Sequence, residues 1–158
     1  MAEVLDWNQA KKVYATLCSM LDERGWRYHR DDSKLTVRCG AQGDDLPMDI
    51  LIEIDAKREL TTFLSPMPFT VPQNMRSQIA VAVSLANWGM VDGSFDYDYL
   101  KGKIFFRLTS SYRQSLLGKN LFSYMLEAAC FTIDTYNDKF LTVIKSEMSI
   151  NQILEYIK

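Results

Sequence analysis

The pattern of apolar and polar positions divides the chain into segments with a helical period and segments with a strand period. From Asp6 to Gly25 the apolar residues recur every three or four positions, which is the spacing of one helical face. Asp6 is a typical N-cap residue, and Gln9 three positions later is suited to be its partner in a capping box. Gly25 is suited to the left-handed position that follows many helices. The sequence therefore predicts a first helix from Asp6 to Gly25.

The segments that follow alternate apolar and polar residues with the period of β-strands. The alternation is clearest in three runs, which are KLTVRCG (34–40), PMDILIEIDA (47–56) and RELTTFLS (58–65). The short connections between these runs favour antiparallel pairing, with one apolar face and one solvated face. The segment WRYHR (26–30) is compatible with an additional short strand.

A proline-rich stretch separates these strands from a second helix. SPMPFTVP (65–72) cannot continue a sheet, so it predicts a crossover loop. Pro72 is suited to the first turn of a helix predicted from Pro72 to Trp88. Arg76 is the only charged residue of this helix, and apolar or small side chains occupy most of its circumference. Such a helix is buried on both sides, either entirely within its own subunit or with a second subunit covering one side.

A hairpin is predicted over residues 95–108. Aromatic and acidic residues alternate at 95–99, and an alternating apolar run follows the Lys-Gly pair at 101–102. A two-residue loop at 101–102 pairs Tyr97 with Phe106 on an aromatic face and Asp96 with Arg107 on the opposite face. A slip by one residue would mix the two faces. The aromatic face needs cover, either from the helices of the chain or from another polypeptide.

The last third of the chain is predicted to be helical. A regular spacing of apolar residues predicts a long helix from about Leu117 to Ile144, and Ser149 is suited to cap a short final helix. The order α-β-β-β-α-β-β-α-α, with strands in runs, is typical of an α+β fold with an antiparallel sheet of about five strands. A length of 158 residues fits one domain, so a single domain is expected over residues 1–158.

Composition and charge narrow the classes of function. The net charge is −2 and long basic clusters are missing from the sequence, so nucleic acid is not expected as a partner. No apolar window approaches the roughly 20 residues of a membrane span, and the N-terminal segment lacks the pattern of a secretory signal. Cys18, Cys39 and Cys130 lack metal-ligand spacing and are interpreted as small apolar residues of a cytoplasmic protein.

Candidate catalytic residues are few. His29 is the only histidine and lies among charged residues, where an exposed surface histidine is favoured over a general base. Asp96 and Asp98 could ligate a hard cation, but a solvated strand face is the favoured interpretation. The pair at 118–119 lacks the leading glycine and the Ser/Thr of a phosphate loop. No catalytic residue, cofactor or metal site is therefore predicted.

Several stretches together carry a resemblance to a known family. They are MDILIEID, FTVP before the central helix, LANWGMVDGSFDYD, GKIFFRLT and IDTYNDKFLTVI. With the order of the predicted elements, they resemble the YbjN family of proposed bacterial sensory-transduction regulators, from the first helix to Ile144. The resemblance implies the fold of type III secretion chaperones, which are small acidic cytosolic homodimers that hold partner segments on their surfaces. None of these stretches is a catalytic signature.

Two functions follow as hypotheses. In the first, the chain is a non-enzymatic interaction or regulatory module, a chaperone-like homodimer that acts on a protein partner. In the second, it is a small-molecule-binding protein or an enzyme with a pocket between the sheet and the helices, where Tyr97, Tyr99 or Tyr124 would supply polar groups. The candidate interface residues of the first hypothesis are Val81, Leu85, Trp88, Tyr97 and Tyr99.

Overall fold

Six strands form one antiparallel sheet in the computed structural model, which describes residues 6–157. The strands are β1 Tyr28–Asp31, β2 Thr36–Gln42, β3 Pro47–Asp55, β4 Leu60–Pro66, β5 Ser94–Asp98 and β6 Lys103–Ser111. The helices are α1 Trp7–Glu23, α2 Arg76–Trp88, α3 Lys119–Lys145 and α4 Ile150–Tyr156. The strands lie in the order β1-β2-β3-β4-β6-β5. The predicted α+β class is confirmed, and β1 adds a sixth strand close to the short segment considered at 26–30.

Local signals at both ends of α1 act largely as predicted. Asp6 caps the helix, since its Oδ1 accepts a hydrogen bond from the Gln9 N–H at 3.0 Å. The predicted capping box is wrong, however, because the Gln9 side chain donates to the carbonyls of Tyr112 and Ser115, at 3.1 and 2.6 Å. Gly25 follows the helix end with φ +69°. Gln9 thus ties α1 to the loop between β6 and α3.

The other helices begin at caps of different kinds. A 3₁₀ turn at Gln73–Met75 follows Pro72, so α2 begins at Arg76, later than predicted. The bounds of α3 agree closely with the predicted long helix. α4 begins with a capping box, in which Ser149 Oγ accepts from the Gln152 N–H at 3.3 Å and Gln152 Oε1 accepts from the Ser149 N–H at 2.8 Å. The predicted cap at Ser149 is therefore confirmed.

The two faces of the sheet differ in what covers them. The inner face packs against α1 and α3, and its buried residues alternate along β2, β3, β4 and β6, as the sequence predicted for β2, β3 and β6. They are Val37, Cys39, Met48, Ile50, Ile52, Ile54, Thr61, Phe63, Ser65, Phe95, Ile104, Phe106 and Leu108. The outer face carries the intervening residues, many of them charged or hydroxylated. The functional surfaces described below lie on the helix-covered side, near β5.

The β5–β6 hairpin keeps its predicted faces but not its predicted register. Tyr97 pairs with Ile104 and Phe95 with Phe106, which is a shift of two residues from the predicted pairing. The reason is the loop, in which the Gly102 N–H donates to the Asp98 carbonyl at 2.7 Å, so that residues 99–102 turn the chain. A shift by two residues preserves the alternation of faces. 

The predicted charge pair of the hairpin forms as a diagonal contact rather than a direct cross-strand pair. Arg107 Nε lies 2.7 Å from Asp96 Oδ2, although Asp96 stands opposite Phe105 in the ladder. The loop that sets this register is itself held from outside the hairpin. The Gly102 carbonyl accepts a hydrogen bond from the Val71 N–H at 2.8 Å, which docks the loop on the segment before α2.

The aromatic face of the hairpin is covered by the chain itself. Phe95 is buried and makes edge-to-face contacts with Phe106, Tyr136 and Phe140, with ring centroids 5.1 to 5.6 Å apart. Two of these rings belong to α3, so the long helix provides the cover. Of the two expected sources of cover, the helices of the chain are the one observed, and partner contact has to be sought on other surfaces.

Candidate interaction surfaces

The solvent-facing side of α2 is an uncharged helix face. The buried side of α2 consists of Ile79, Ala82, Val83 and Ala86. The opposite side, which we call the α2 stripe, consists of Ser77, Val81, Ser84, Leu85 and Trp88. Its serines are exposed, Val81 and Leu85 are half-buried against the core, and Trp88 keeps 91 % of its surface exposed. A tryptophan in this position is unusual for a surface without a partner.

The two predicted interface residues of the hairpin lie at the other end of α2 from Trp88. The Tyr99 hydroxyl is hydrogen-bonded to Ser77 Oγ at 3.0 Å, which places this exposed ring at the beginning of the α2 stripe. Tyr97 is half-buried, and its hydroxyl donates to the Arg76 carbonyl at 3.0 Å. Burial raises the pKa of Tyr97. The five candidate residues therefore follow one helix face from end to end, although Tyr97 offers little surface.

Part of the cover that α2 requires comes from α4. The short helix packs against α2 and buries Ile153. Ile157, which follows α4, is buried as well. The alternative in which a second subunit covers one side of α2 therefore applies only to the α2 stripe. The sequence predicted α4 as an element, but it carried no signal for where so short a helix would pack.

A groove runs between α3 and the segment that joins α2 to β5. Its volume is about 490 Å³. Val91 and Phe131 border it with 97 % and 75 % of their surfaces exposed. We call this surface the α3 groove, and it is lined by Gly89, Met90, Val91, Asp92, Tyr124, Glu127, Ala128, Phe131, Thr132, Thr135 and Tyr136. The sequence analysis missed it, although Phe131 lies outside the apolar stripe that predicted α3 and could have indicated it.

The charged residues that line the α3 groove are both acidic. Asp92 Oδ2 accepts a hydrogen bond from the Tyr124 hydroxyl, which links the α2–β5 segment to α3. This hydrogen bond and the carboxylate charge raise the pKa of Tyr124, because both favour the protonated phenol. Glu127 pairs with Arg24, whose Nη1 lies 2.6 Å from Glu127 Oε1. Within residues 6–157, Asp92 takes part in no ion pair.

Asn87 closes part of the β5 sheet edge. Its Nδ2 donates to the Phe95 carbonyl at 3.0 Å, and its Oδ1 accepts from the Phe95 N–H at 2.8 Å. These are the two backbone groups of Phe95 that point away from β6. An unpaired edge would expose them to solvent or to a foreign strand. The Asn87 side chain therefore takes the place of a neighbouring strand at this position.

Asn87→Ala is expected to lower the free energy of unfolding by about 2 kcal/mol, because it leaves two partly buried backbone groups without partners. Denaturant unfolding measures this loss, and hydrogen exchange of the Phe95 amide should become faster. Asn120→Ala, at an exposed position in the first turn of α3, is the matched control and should change stability by less than about 0.5 kcal/mol. Equal losses in the two variants would contradict this role of Asn87.

The other candidate chemical groups are the single histidine and the three cysteines. His29 lies exposed on the edge strand β1. Cys18 and Cys39 are buried, as predicted, and Cys130 is half-buried. Burial raises the pKa of all three thiols, that of Cys39 to about 12, so the nucleophilic thiolate is disfavoured. The described residues contain no group of three or more His, Cys, Asp or Glu that could hold a metal ion.

The space between sheet and helices, where the second hypothesis places a pocket, holds packed aromatic residues. Phe63, Phe106, Phe122 and Phe140 are fully buried there. Tyr99 and Tyr124 are hydrogen-bonded at the surface instead, to Ser77 and Asp92. Two of the three tyrosines proposed as polar groups of an internal pocket are therefore exposed at the surface. Among the described helices, none combines the length and apolarity needed to cross a lipid bilayer.

Comparison with solved structures relates this architecture to proteins of known fold. By sequence, the chain matches no protein-family model and no curated protein. Its structure is similar to that of YbjN from E. coli, described as a proposed transcription regulator, with a TM-score of 0.57 and 15 % identity over 77 % of this chain and 86 % of that one.

Two further similarities are to chains in complexes of two different proteins. A chain of the ExsC–ExsE complex gives a TM-score of 0.57 at 16 % identity, with 85 % of this chain and 95 % of that one covered. A chain of the HopA1–SchA chaperone–effector complex gives 0.53 at 15 % identity, with 81 % and 92 % covered. The YbjN-like, type III secretion chaperone-like fold predicted from the sequence resemblance is therefore confirmed.

Proposed function

We propose that the chain is a non-enzymatic protein-interaction or regulatory module that forms a chaperone-like homodimer and acts on a protein partner. The observation that carries the proposal is the α2 stripe, an uncharged helix face that ends at the exposed Trp88. Exposed apolar surface of this kind is unfavourable in water, and association removes it. The stripe is the surface that we assign to the second copy.

The α2 stripe is complementary to itself when two copies of α2 run antiparallel. Ser77 and Tyr99 lie at one end and Trp88 at the other, roughly 16 Å apart along the helix axis. In a two-fold pair, Trp88 of each copy would lie over Tyr99 and Ser77 of the other copy. The small side chain of Ser84 near the centre permits close approach of the two helices.

The solved structures of the same fold support a protein partner. Two of the three come from complexes of different proteins, and one of these is described as a chaperone with its effector. Fold likeness alone does not carry a function from one protein to another, so the partner of this chain is part of the proposal. Three free cysteines within the described residues suit the reducing cytoplasm that we propose as its location.

Ser84→Lys is expected to convert the dimer into a monomer. Ser84 is exposed in the single chain, so a lysine there stays solvated in the monomer and should change the free energy of unfolding by less than about 0.5 kcal/mol. In the two-fold pair it would place two like charges in an apolar contact. Sedimentation velocity or light scattering at micromolar concentration should show a dimer for the native chain and a monomer for the variant.

Ser84 is a better position than Leu85 for testing the homodimer, because its side chain is exposed. Leu85→Asp would also disturb the core, since Leu85 packs against it, and loss of the dimer could then follow from unfolding. Ser115→Lys, at another exposed serine far along the chain from α2, is the matched control and should remain a dimer. A native chain that is monomeric at tens of micromolar, or a Ser84→Lys variant that stays dimeric, would contradict the proposed homodimer.

A further inference from the structure

We propose that the α3 groove binds a segment of the partner polypeptide in which apolar side chains flank a lysine or an arginine. This inference rests on the proposed function, because it names the chemistry of the protein partner and the surface that receives it. It is carried by three features of the groove: its open shape, its two exposed apolar side chains, and the sign of its charges.

The shape of the α3 groove suits a polypeptide better than a small molecule. Along α3 it extends from Tyr124 to Tyr136, roughly 18 Å, which corresponds to about five residues of extended chain or three turns of helix. Val91 and Phe131 line it and expose most of their surfaces to solvent. Small-molecule sites usually enclose most of the ligand surface, whereas an open groove of this kind covers one side of a passing chain.

Val91 and Phe131 specify the apolar part of the ligand. Val91 belongs to the segment between α2 and β5, and Phe131 belongs to α3, so a side chain inserted between them would contact both walls of the groove. Burying a large apolar side chain contributes one of the larger favourable free-energy terms in an interface. Ala128 and Thr132, one turn apart on α3, leave room at the base of the groove.

The charges of the groove specify the basic part of the ligand. Asp92 and Glu127 are the charged residues of the lining, and Arg24 already pairs with Glu127. Asp92 accepts a hydrogen bond from Tyr124 but has no ion pair within the described residues. A lysine or arginine of the ligand can bind this carboxylate, whereas a glutamate or aspartate would be repelled by it.

The same charges argue against a second copy as the occupant. A two-fold pairing centred on the α3 groove would bring Asp92 and Glu127 towards their own copies, and the lining contributes no cation to separate them. The α2 stripe has no such conflict, because it is uncharged. The groove begins at Gly89, immediately after Trp88, so the partner segment and the second copy would occupy neighbouring surfaces.

The test is a selection of short random peptides on the immobilised full chain, followed by fluorescence anisotropy with one selected peptide. Selected sequences should combine apolar residues with lysine or arginine. Phe131→Ser and Val91→Ser should each weaken binding roughly tenfold or more. Asp92→Asn, which keeps an acceptor for the Tyr124 hydroxyl, should weaken it roughly two- to fivefold. Asp92→Lys should prefer a synthetic copy of the peptide in which glutamate replaces each basic residue.

Two control variants carry the same kinds of change outside the α3 groove. Leu100→Ser removes an exposed apolar side chain from the β5–β6 loop, and Asp49→Lys reverses an exposed charge on the outer face of β3. Both should bind the selected peptide as the native chain does. Because Phe131 and Val91 are exposed, their serine variants should keep the native unfolding midpoint, which separates lost binding from lost folding.

The outcomes separate this inference from the proposed function. If peptides bind but Phe131→Ser and Asp92→Asn leave their affinity unchanged, the α3 groove is not the site, while protein binding by the chain stands. Selection of acidic peptides, or of none, also overturns the inference. The homodimer on the α2 stripe is decided independently, by the Ser84→Lys experiment.

Discussion

Phe106→Ala is expected to lower the free energy of unfolding by about 3–5 kcal/mol, a large part of the roughly 5–15 kcal/mol that stabilises a typical domain. Phe106 is fully buried on the inner face of β6 and makes an edge-to-face contact with Phe95. Its removal leaves a cavity beneath α3 that the surrounding aromatic rings cannot fill. Urea unfolding should show a lower midpoint with an unchanged dependence on denaturant concentration.

The neighbouring residue provides the matched control, since the same substitution on the other face of the same strand removes much less buried contact. Phe105 is half-buried on the outer face, opposite Asp96 and Pro66. Phe105→Ala should therefore cost about 1 kcal/mol. If the two variants lost similar amounts of stability, the inner face of the hairpin would not be the packed core described here.

Gly102→Ala is expected to cost about 3 kcal/mol or more. Gly102 has φ +67°, a left-handed conformation that costs an alanine roughly 1–2 kcal/mol. A β-carbon at this position would also lie 2.4 Å from the Val71 carbonyl oxygen, so the loop would have to move away from the segment before α2. That movement breaks the Val71–Gly102 hydrogen bond. The unfolding midpoint in urea measures the total loss.

Gly25→Ala isolates the conformational part of this effect. Gly25 has nearly the same φ, +69°, but a β-carbon there meets no atom within 4 Å. Its substitution should therefore cost only this conformational part, roughly 1–2 kcal/mol. Equal losses at Gly25 and Gly102 would show that the close approach to Val71 contributes nothing, and that the β5–β6 loop is not held from outside the hairpin.

The helices and strands that could be predicted from the sequence are those determined by residues close to one another in the chain. Asp6, Gly25 and Ser149 act through residues within one turn, so the bounds of α1 and α4 were close to those observed. The alternation of apolar residues placed the inner face of β2 and β3 correctly, because that pattern depends only on strand geometry. In β4 two of the three inner residues are the polar Thr61 and Ser65, so alternation gave no face there. The antiparallel sheet followed from the short connections.

The features that were predicted wrongly depend on distant residues. The hairpin register follows from the loop at 99–102, which Val71 holds in place from another part of the chain. Gln9 was expected to close a capping box, but the carbonyls of Tyr112 and Ser115 compete successfully for its side chain. In both cases a local motif was present, and a contact made only in the folded chain decided the outcome.

The candidate surfaces show a related limit of sequence reasoning. Val81, Leu85 and Trp88 were selected because α2 is apolar on all sides, and the periodicity correctly placed them on one face. Val91 and Phe131 were not selected, since a valine in a loop and a phenylalanine in a helix look like core residues in the sequence. Their exposure becomes evident only when the position of α3 relative to the α2–β5 segment is known.

The contact between Asn87 and Phe95 also bears on how large an assembly can grow. β5 is a short edge strand, and alternation leaves only Phe95 and Tyr97 with backbone groups directed outward. Asn87 already satisfies the first of these, so recruitment of strands from further molecules is blocked at that point. Strand addition at the β5 edge is thus disfavoured, and loss of Asn87 should make concentrated solutions more prone to polymerisation through this edge.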